Sequence, residues 1–241
     1  VRLGDMCVWQ GAVREAESQY RQALAGQNDL GAFAPAIRTR ARLWHVYRLQ
    51  GQREKREFEA AMCDSGKHTL APRDQLWLLL ARSRDLIAEE NGVAALGVLT
   101  EADRIDDLPL RHRLEFRLAR ARACAATGDT RMATEDLGAA LRSARRAHYV
   151  GYQGRVELEF GRLQLSMGFL SDAERSLDQA VTQLTSAGDR YHLLIAVVIQ
   201  GLVARAAGRP VERFVDRSRE QLARLSLRPS APAARLLASL Y

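Results

Sequence analysis

The sequence predicts an all-α chain, a right-handed α-solenoid of about six helix-turn-helix repeats. Three observations lead there. Helix-favouring Ala, Leu, Arg, Glu and Gln dominate, only 6 of the 241 residues are proline, and alternating runs of β-branched residues are almost absent. A turn residue recurs at near-constant spacing: Gly11, Gly51, Glu90, Gly128, Gly168 and Gly208 are 40, 39, 38, 40 and 40 residues apart. Each well-formed copy then carries the same small-large-small phrase five, nine and twelve residues after its turn.

That phrase is Ala16-Tyr20-Ala23 in the first copy, Ala95-Leu99-Ala102 in the third, Ala133-Leu137-Ala140 in the fourth and Ala173-Leu177-Ala180 in the fifth. Offsets of four and three put all three residues on one helix face. The alanines let a neighbouring helix approach, and the larger residue fills the gap between them. Glycine at the turn supplies the left-handed backbone that ends the preceding helix; the third copy has Glu90 there, with Asn91-Gly92 just after it. Seven residues before each turn lies a second small position, occupied by Gly4, Ser83, Ala121, Gly161 and Gly201, where two helices of a repeat are expected to cross closely. The second copy breaks the rule with Trp44, has Arg56 where alanine is expected, and keeps only Ala60 and Cys63.

The pattern resembles the tetratricopeptide repeat (TPR) family over nearly the whole chain, with a truncated first and a degenerate last copy. A standard repeat of that family is about 34 residues, so these copies resemble the long, roughly 40-residue variety found in helical sensor domains of maltose-regulator-like bacterial proteins and in fusions of such repeats to caspase-like proteases. The array is expected over residues 1–228. In the last copy Pro210 is placed to start a helix, but Arg213, Arg217 and Glu220 replace the phrase. After the break at Arg228–Pro232, residues 229–241 are expected to form a capping helix, about Ala233 to Leu240, or the start of a further repeat. The chain opens at Val1 as if already inside a helix, and is read as part of a longer protein.

Composition narrows the function. The net charge of +7 rests on 36 basic residues, of which only Lys55 and Lys67 are lysine, against 29 interspersed acids. No long basic block singles out nucleic acid. Cys7, Cys63 and Cys124 are far apart and read as reduced core thiols. No apolar run approaches the roughly 20 residues of a membrane span, and no signal peptide is evident; a cytoplasmic location is expected. No phosphate-binding glycine loop, HExxH or GxSxG motif occurs. None of His45, His68, His112, His148 and His192 has a second ligand at metal spacing, and His112 and His192 read as solvated helix starts. Glu89-Glu90 and Asp106-Asp107 read as helix-end acids. No enzyme activity, metal or cofactor is expected.

In the family it resembles, the first helix of each repeat lines the concave face. Carried over, that face holds a ladder, Arg84, Arg122 and Arg162, with Arg48 and Arg155 beside it and Arg38, His45 and Trp77 at equivalent positions. Arginine forks bind carboxylates in two-pronged fashion, and neighbouring leucines supply apolar area. The expected partner is an acidic or mixed acidic-apolar segment of a protein, or another domain of the same chain. Arginine stands where the chaperone-binding members of the family need asparagine, which argues against a heat-shock chaperone tail. The chain therefore reads as a protein-interaction scaffold, the regulatory or sensor arm of a larger bacterial signalling or transcription-regulatory protein. Alternatives are a small-molecule effector sensor, which needs a closed pocket within the superhelix, a regulatory partner of a caspase-like protease, and a nucleic-acid-binding repeat. For the last, Tyr149, Tyr152, Arg145, Arg146 and His148 form a small basic-aromatic cluster, which reads more simply as a wet loop with two packed rings. Trp9 and Trp44 read as packing residues.

Overall fold

A computed structural model describes residues 1–105, 108–225 and 227–240, the side chains of residues 69 and 73 apart; Asp106 and Asp107 therefore lie outside the described residues. Among the described residues there are thirteen α-helices and no strand. Six helix pairs follow one another: α1 (Arg2–Trp9) with α2 (Val13–Asp29), α3 (Phe33–Gln50) with α4 (Arg53–Gly66), and α5 (Pro72–Ala88) with α6 (Gly92–Asp103). Then come α7 (Leu110–Ala126) with α8 (Thr130–Arg146), α9 (Val150–Ser166) with α10 (Leu170–Ala187), and α11 (Arg190–Ala206) with α12 (Glu212–Leu225). A short 3-10 turn, Lys67–Thr69, follows α4, and α13 (Pro232–Ala238) closes the chain. Apart from α4 and α5, each helix packs on the next, and α3, α5, α7, α9 and α11 also pack on one another in sequence, which makes the fold an all-α solenoid.

The recurring turn residue has one conformation throughout. All six positions have positive φ, from 60° at Glu90 to 82° at Gly128. At Glu90 the two closing bonds are kept, Glu90 N–H to Ile87 and Asn91 N–H to Leu86, at 3.1 and 2.8 Å. A side chain in this region costs about 1–2 kcal/mol, partly offset because glycine loses more backbone freedom on folding. Glu90→Gly is therefore expected to stabilise the chain by about 1 kcal/mol, raising Tm by about 2–4 °C for a chain of this size. Gly128→Ala is the matched control: an added Cβ there meets nothing within 4 Å, so any loss comes from φ alone. Differential scanning calorimetry of both variants checks the pair, and an unchanged or lower Tm for Glu90→Gly would refute the strain argument.

One helix start differs from the sequence expectation. After Gly11, Gly128 and Gly168, the residue two positions on (Val13, Thr130, Leu170) donates its N–H to the turn residue's carbonyl and opens the next helix. After Gly208 that residue is Pro210, which has no N–H to give. Helix α12 instead begins at Glu212, with Phe214 and Val215 both donating to the Val211 carbonyl.

The small-large-small phrase is the core. Of its twelve residues only Ala23 is not fully buried. The second small position sits sixteen residues before the large one, and the two face each other. A Cβ built at Gly4 would lie 2.5 Å from the Tyr20 ring, and one at Gly161 would lie 2.6 Å from Leu177 Cγ. The irregular second copy keeps the total volume by exchanging sizes: Trp44 is buried in the cluster against which Ala60, sixteen residues on, packs. The Trp44 indole N–H finds a buried acceptor at Asp85 Oδ2, 2.8 Å away. Cys63 and Cys124 are buried free thiols, and burial pushes the Cys63 thiol up to about 12, as expected of an inert core residue.

The solenoid closes on itself. Helix α1 touches α11, and the Gly11 turn is seated against Leu225 and the Arg190–Tyr191 start of α11. Helix α13 folds back onto α3 and α11, with the Ser230 hydroxyl donating to the Gly51 carbonyl at 3.1 Å across 179 residues of chain. The backbone of Gly51 leaves no room for a Cβ, which would lie 2.5 Å from the Ser230 carbonyl. The inner face is thereby turned from an open groove into a lumen.

Candidate functional site

The lumen holds a cavity of about 190 Å³ walled by α1, α3, α5, α7, α9 and α11, with Pro232, Ala233 and Leu236 of α13 at its edge. Of the six residues that stand six positions before a turn residue, five line it: Asp5, His45, Arg84, Arg122 and Arg162; Leu202 does not. Arg48, Arg155 and Trp77 line it as well. Of the eight residues selected from the sequence, only Arg38 lies off the cavity. Its guanidinium is drawn aside by Asp74 in the first turn of α5, at 3.0 Å, and is half exposed.

The arginine ladder is not a row of free forks. Two of its three rungs are tied to an acid of the next repeat, and so is Arg155 beside them. Arg84 donates to Glu115 at 2.5 Å, Arg122 to Glu159 at 2.5 Å, and Arg155 to Asp189 at 2.8 Å. Glu115 also accepts from Arg155 at 3.1 Å and from the Tyr152 hydroxyl at 2.8 Å. A continuous network therefore runs from α5 through α7 and α9 to α11, where Asp189 caps the helix by accepting from the His192 N–H at 3.2 Å. Burial pushes the Glu115 carboxyl upward, but Arg84, Arg155, the Tyr152 hydroxyl and Arg111 outweigh it and hold it at about 2. Glu159 is likewise raised by burial, then brought to about 2 by Arg122 and Arg162.

Charge is nonetheless in excess. Seven arginines line the cavity, Arg42, Arg48, Arg84, Arg111, Arg122, Arg155 and Arg162, against Asp5 and Glu115 in its wall and Glu159 and Asp189 just behind it. Arg42 is matched by Asp5 at 3.0 Å. Arg111 donates to the Tyr152 hydroxyl at 3.3 Å and lies over Trp9 and Trp77, 5.3 and 5.9 Å from the ring centroids, so aromatic faces take the place of a carboxylate. Among the described residues Arg48 and Arg162 have no carboxylate of their own. Arg48 reaches His45 Nδ1 at 3.3 Å, and Arg162 shares Glu159 with Arg122 from 4.0 Å. The Nε groups of Arg48, Arg122 and Arg162 are all buried without an acceptor. Burial lowers the Arg48 pKa to about 10 and lowers that of Arg162 despite Glu159, so both remain cations at neutral pH in surroundings that disfavour them. His45 and His192 are both pushed down, first by burial and then by the neighbouring arginines, and add no charge at pH 7.

Several wall residues were not legible from the repeat register. His192, expected to be solvated, lies in the wall with its ring 2.9 Å from Asp189, because the closing solenoid covers the start of α11. His112 meets Trp77 edge-on, with ring centroids 5.1 Å apart. Trp9 lines the cavity and stands edge-on to Tyr152 of α9, with centroids 6.0 Å apart, across the lumen rather than within its own repeat. Tyr152 of the basic-aromatic cluster is buried in the network, whereas Tyr149 stays on the surface. Tyr191 and Arg111 were visible only once the ring closed.

The fold and the lumen together define a TPR-like helical-repeat fold with an internal, arginine-rich cavity. No family model and no curated protein matches the sequence. Among solved structures the chain is similar to a Rap protein, in a crystal structure of that protein complexed with competence and sporulation factor. The match has a TM-score of 0.75 at 12% identity and covers 100% of this chain and 69% of that one, a likeness of fold. No described helix is long and apolar enough to cross a membrane, and no group of three or more His, Cys, Asp or Glu among the described residues could hold a metal ion.

Proposed function

We propose that the chain is a non-catalytic interaction scaffold, the cytoplasmic regulatory or sensor arm of a larger bacterial signalling or transcription-regulatory protein. Its lumen takes an acidic or mixed acidic-apolar segment of a partner or of a neighbouring domain. The observation that carries this reading is the surplus of cations, half-buried or buried, around one cavity, with Arg48 and Arg162 lacking carboxylates of their own among the described residues. Buried charges are retained at high cost unless something pairs with them, and a carboxylate supplied in trans would do so by charge-assisted hydrogen bonds. The long repeat, as in maltose-regulator-like sensor domains, and the fold likeness to a Rap protein complexed with competence and sporulation factor favour a receptor role. A small-molecule effector is the second reading, favoured by the closure of the lumen through α13.

Arg48→Glu and Arg162→Glu test this reading better than reversal of Arg122, which would strand Glu159 and confound binding with folding. Isothermal titration with a peptide of alternating Glu and Leu is expected to show binding that weakens at least tenfold in each variant while far-UV circular dichroism is unchanged. Undiminished affinity in both would remove the lumen from consideration. A matching peptide with Gln for Glu should not bind.

A further inference from the structure

One end of the cavity is chemically unlike the rest. Arg48, Arg122 and Arg162 line it together, each with a buried Nε that has no acceptor among the described residues, and Arg122 and Arg162 share one carboxylate, Glu159. Asp85, the acid that bears on Arg48, is taken by the Trp44 indole at 2.8 Å and by Arg56 at 3.5 Å, so three guanidinium charges face the carboxylate of Glu159 and two are left over. The other end is balanced differently: Asp5 accepts from Tyr20 at 2.6 Å and from Arg42 at 3.0 Å, and Arg111 rests between two indole rings. The anion-seeking character is therefore confined to one pole, formed by α3, α7, α9 and the start of α11.

We infer that this pole is a subsite for a compact dianion, a phosphoryl group, held by the guanidinium groups of Arg48, Arg122 and Arg162. A monocarboxylate would leave one half-buried positive charge unmatched, whereas a phosphoryl dianion matches both. Its three equivalent oxygens also suit several planar forks at once. Arg48 is the most exposed to this imbalance, since burial and the neighbouring arginines depress its pKa and only the Tyr191 hydroxyl and Asp85 oppose them. The phosphoryl group can belong to a small ester that fits a cavity of about 190 Å³ or to a phosphorylated side chain of the segment proposed above. The inference rests on the lumen being a binding site but not on the peptide reading.

The test uses the full chain and inorganic phosphate as probe, followed by thermal shift and ³¹P line broadening. Phosphate is expected to raise Tm saturably at low millimolar concentration. Arg48→Gln and Arg162→Gln should each weaken this at least tenfold, while Arg38→Gln, outside the cavity, leaves it intact. Succinate, with the same charge spread over two carboxylates, should bind at least tenfold more weakly. No saturable effect of phosphate, equal binding of succinate, or unchanged binding in both variants overturns the proposal. Glycerol phosphate and a phosphoserine peptide, compared in competition, identify the source: whichever displaces phosphate at lower concentration carries the group. Binding of the unphosphorylated Glu-Leu peptide with no phosphate effect sinks this inference and spares the peptide reading. The converse result does the reverse.

Discussion

Glu115→Ala is expected to destabilise the chain by about 3–5 kcal/mol, because it removes the carboxylate that two buried arginines share. Arg84 and Arg155 would both be left facing a cavity that already holds excess positive charge, and Tyr152 would lose its acceptor. Urea unfolding of the single variants and of the Glu115→Ala, Arg84→Ala pair would measure it. The pair should cost less than the sum of the two, with a coupling of about 0.5–3 kcal/mol, since removing both charges leaves fewer unmatched groups. Additive costs would show that the network is ornamental. The same residues set the acid limit. Glu115 and Glu159 have folded pKa values of about 2, below the ordinary value near 4.3. A depressed carboxylate contributes stability that is complete above its unfolded pKa and is lost as pH falls through its folded one. Tm should therefore hold steady from pH 8 to about pH 7, begin to fall through the ordinary histidine value near 6.5, where His45 and His192 gain protons more readily unfolded than folded, and fall further from about pH 5 towards pH 2 as the carboxylates protonate. The decline should be shallower in Glu115→Gln, which has one fewer such carboxylate to protonate.

What the sequence disclosed and what it hid divide along range. The turns, the small-large-small phrase and the crossing glycines are local devices, readable because a fixed offset on a helix fixes a face. Even Glu90 was placed in the glycine series by spacing alone, and its φ of 60° agrees. The inner-face register likewise brought Arg48, Arg84, Arg122, Arg155, Arg162, His45 and Trp77 to one cavity. Two things escaped. The acids that neutralise the ladder, Glu115, Glu159 and Asp189, stand 31 to 37 residues from their arginines and are legible only when neighbouring repeats are stacked. Closure depends on how much each repeat rotates against the last, a quantity that no single repeat encodes. Trp9 meeting Tyr152 and Ser230 meeting Gly51 are its consequences, and so is the change from groove to lumen.

Gly161→Ala is expected to cost about 1–3 kcal/mol, an overpacking penalty, although glycine to alanine inside a helix ordinarily gains about 0.5–1 kcal/mol. The added Cβ would lie 2.6 Å from Leu177 Cγ and 2.8 Å from its Cδ2, and Leu177 is fully buried with nowhere to turn. Gly97 in α6 supplies the contrast: nothing lies within 4 Å of its Cβ, so Gly97→Ala should show the ordinary gain. Leu177→Ala alone should cost about 2–5 kcal/mol by leaving a cavity. Combined with Gly161→Ala, the new methyl group enters that cavity, the clash disappears, and the double variant should be more stable than the sum of the singles by about 0.5–3 kcal/mol. The second repeat already embodies this compensation, with bulk at Trp44 and alanine at residue 60. If chemical denaturation finds the two costs additive, helix crossing is set by backbone geometry rather than by the paired volumes. In that case Trp44 owes its place to the indole's bond with Asp85 instead.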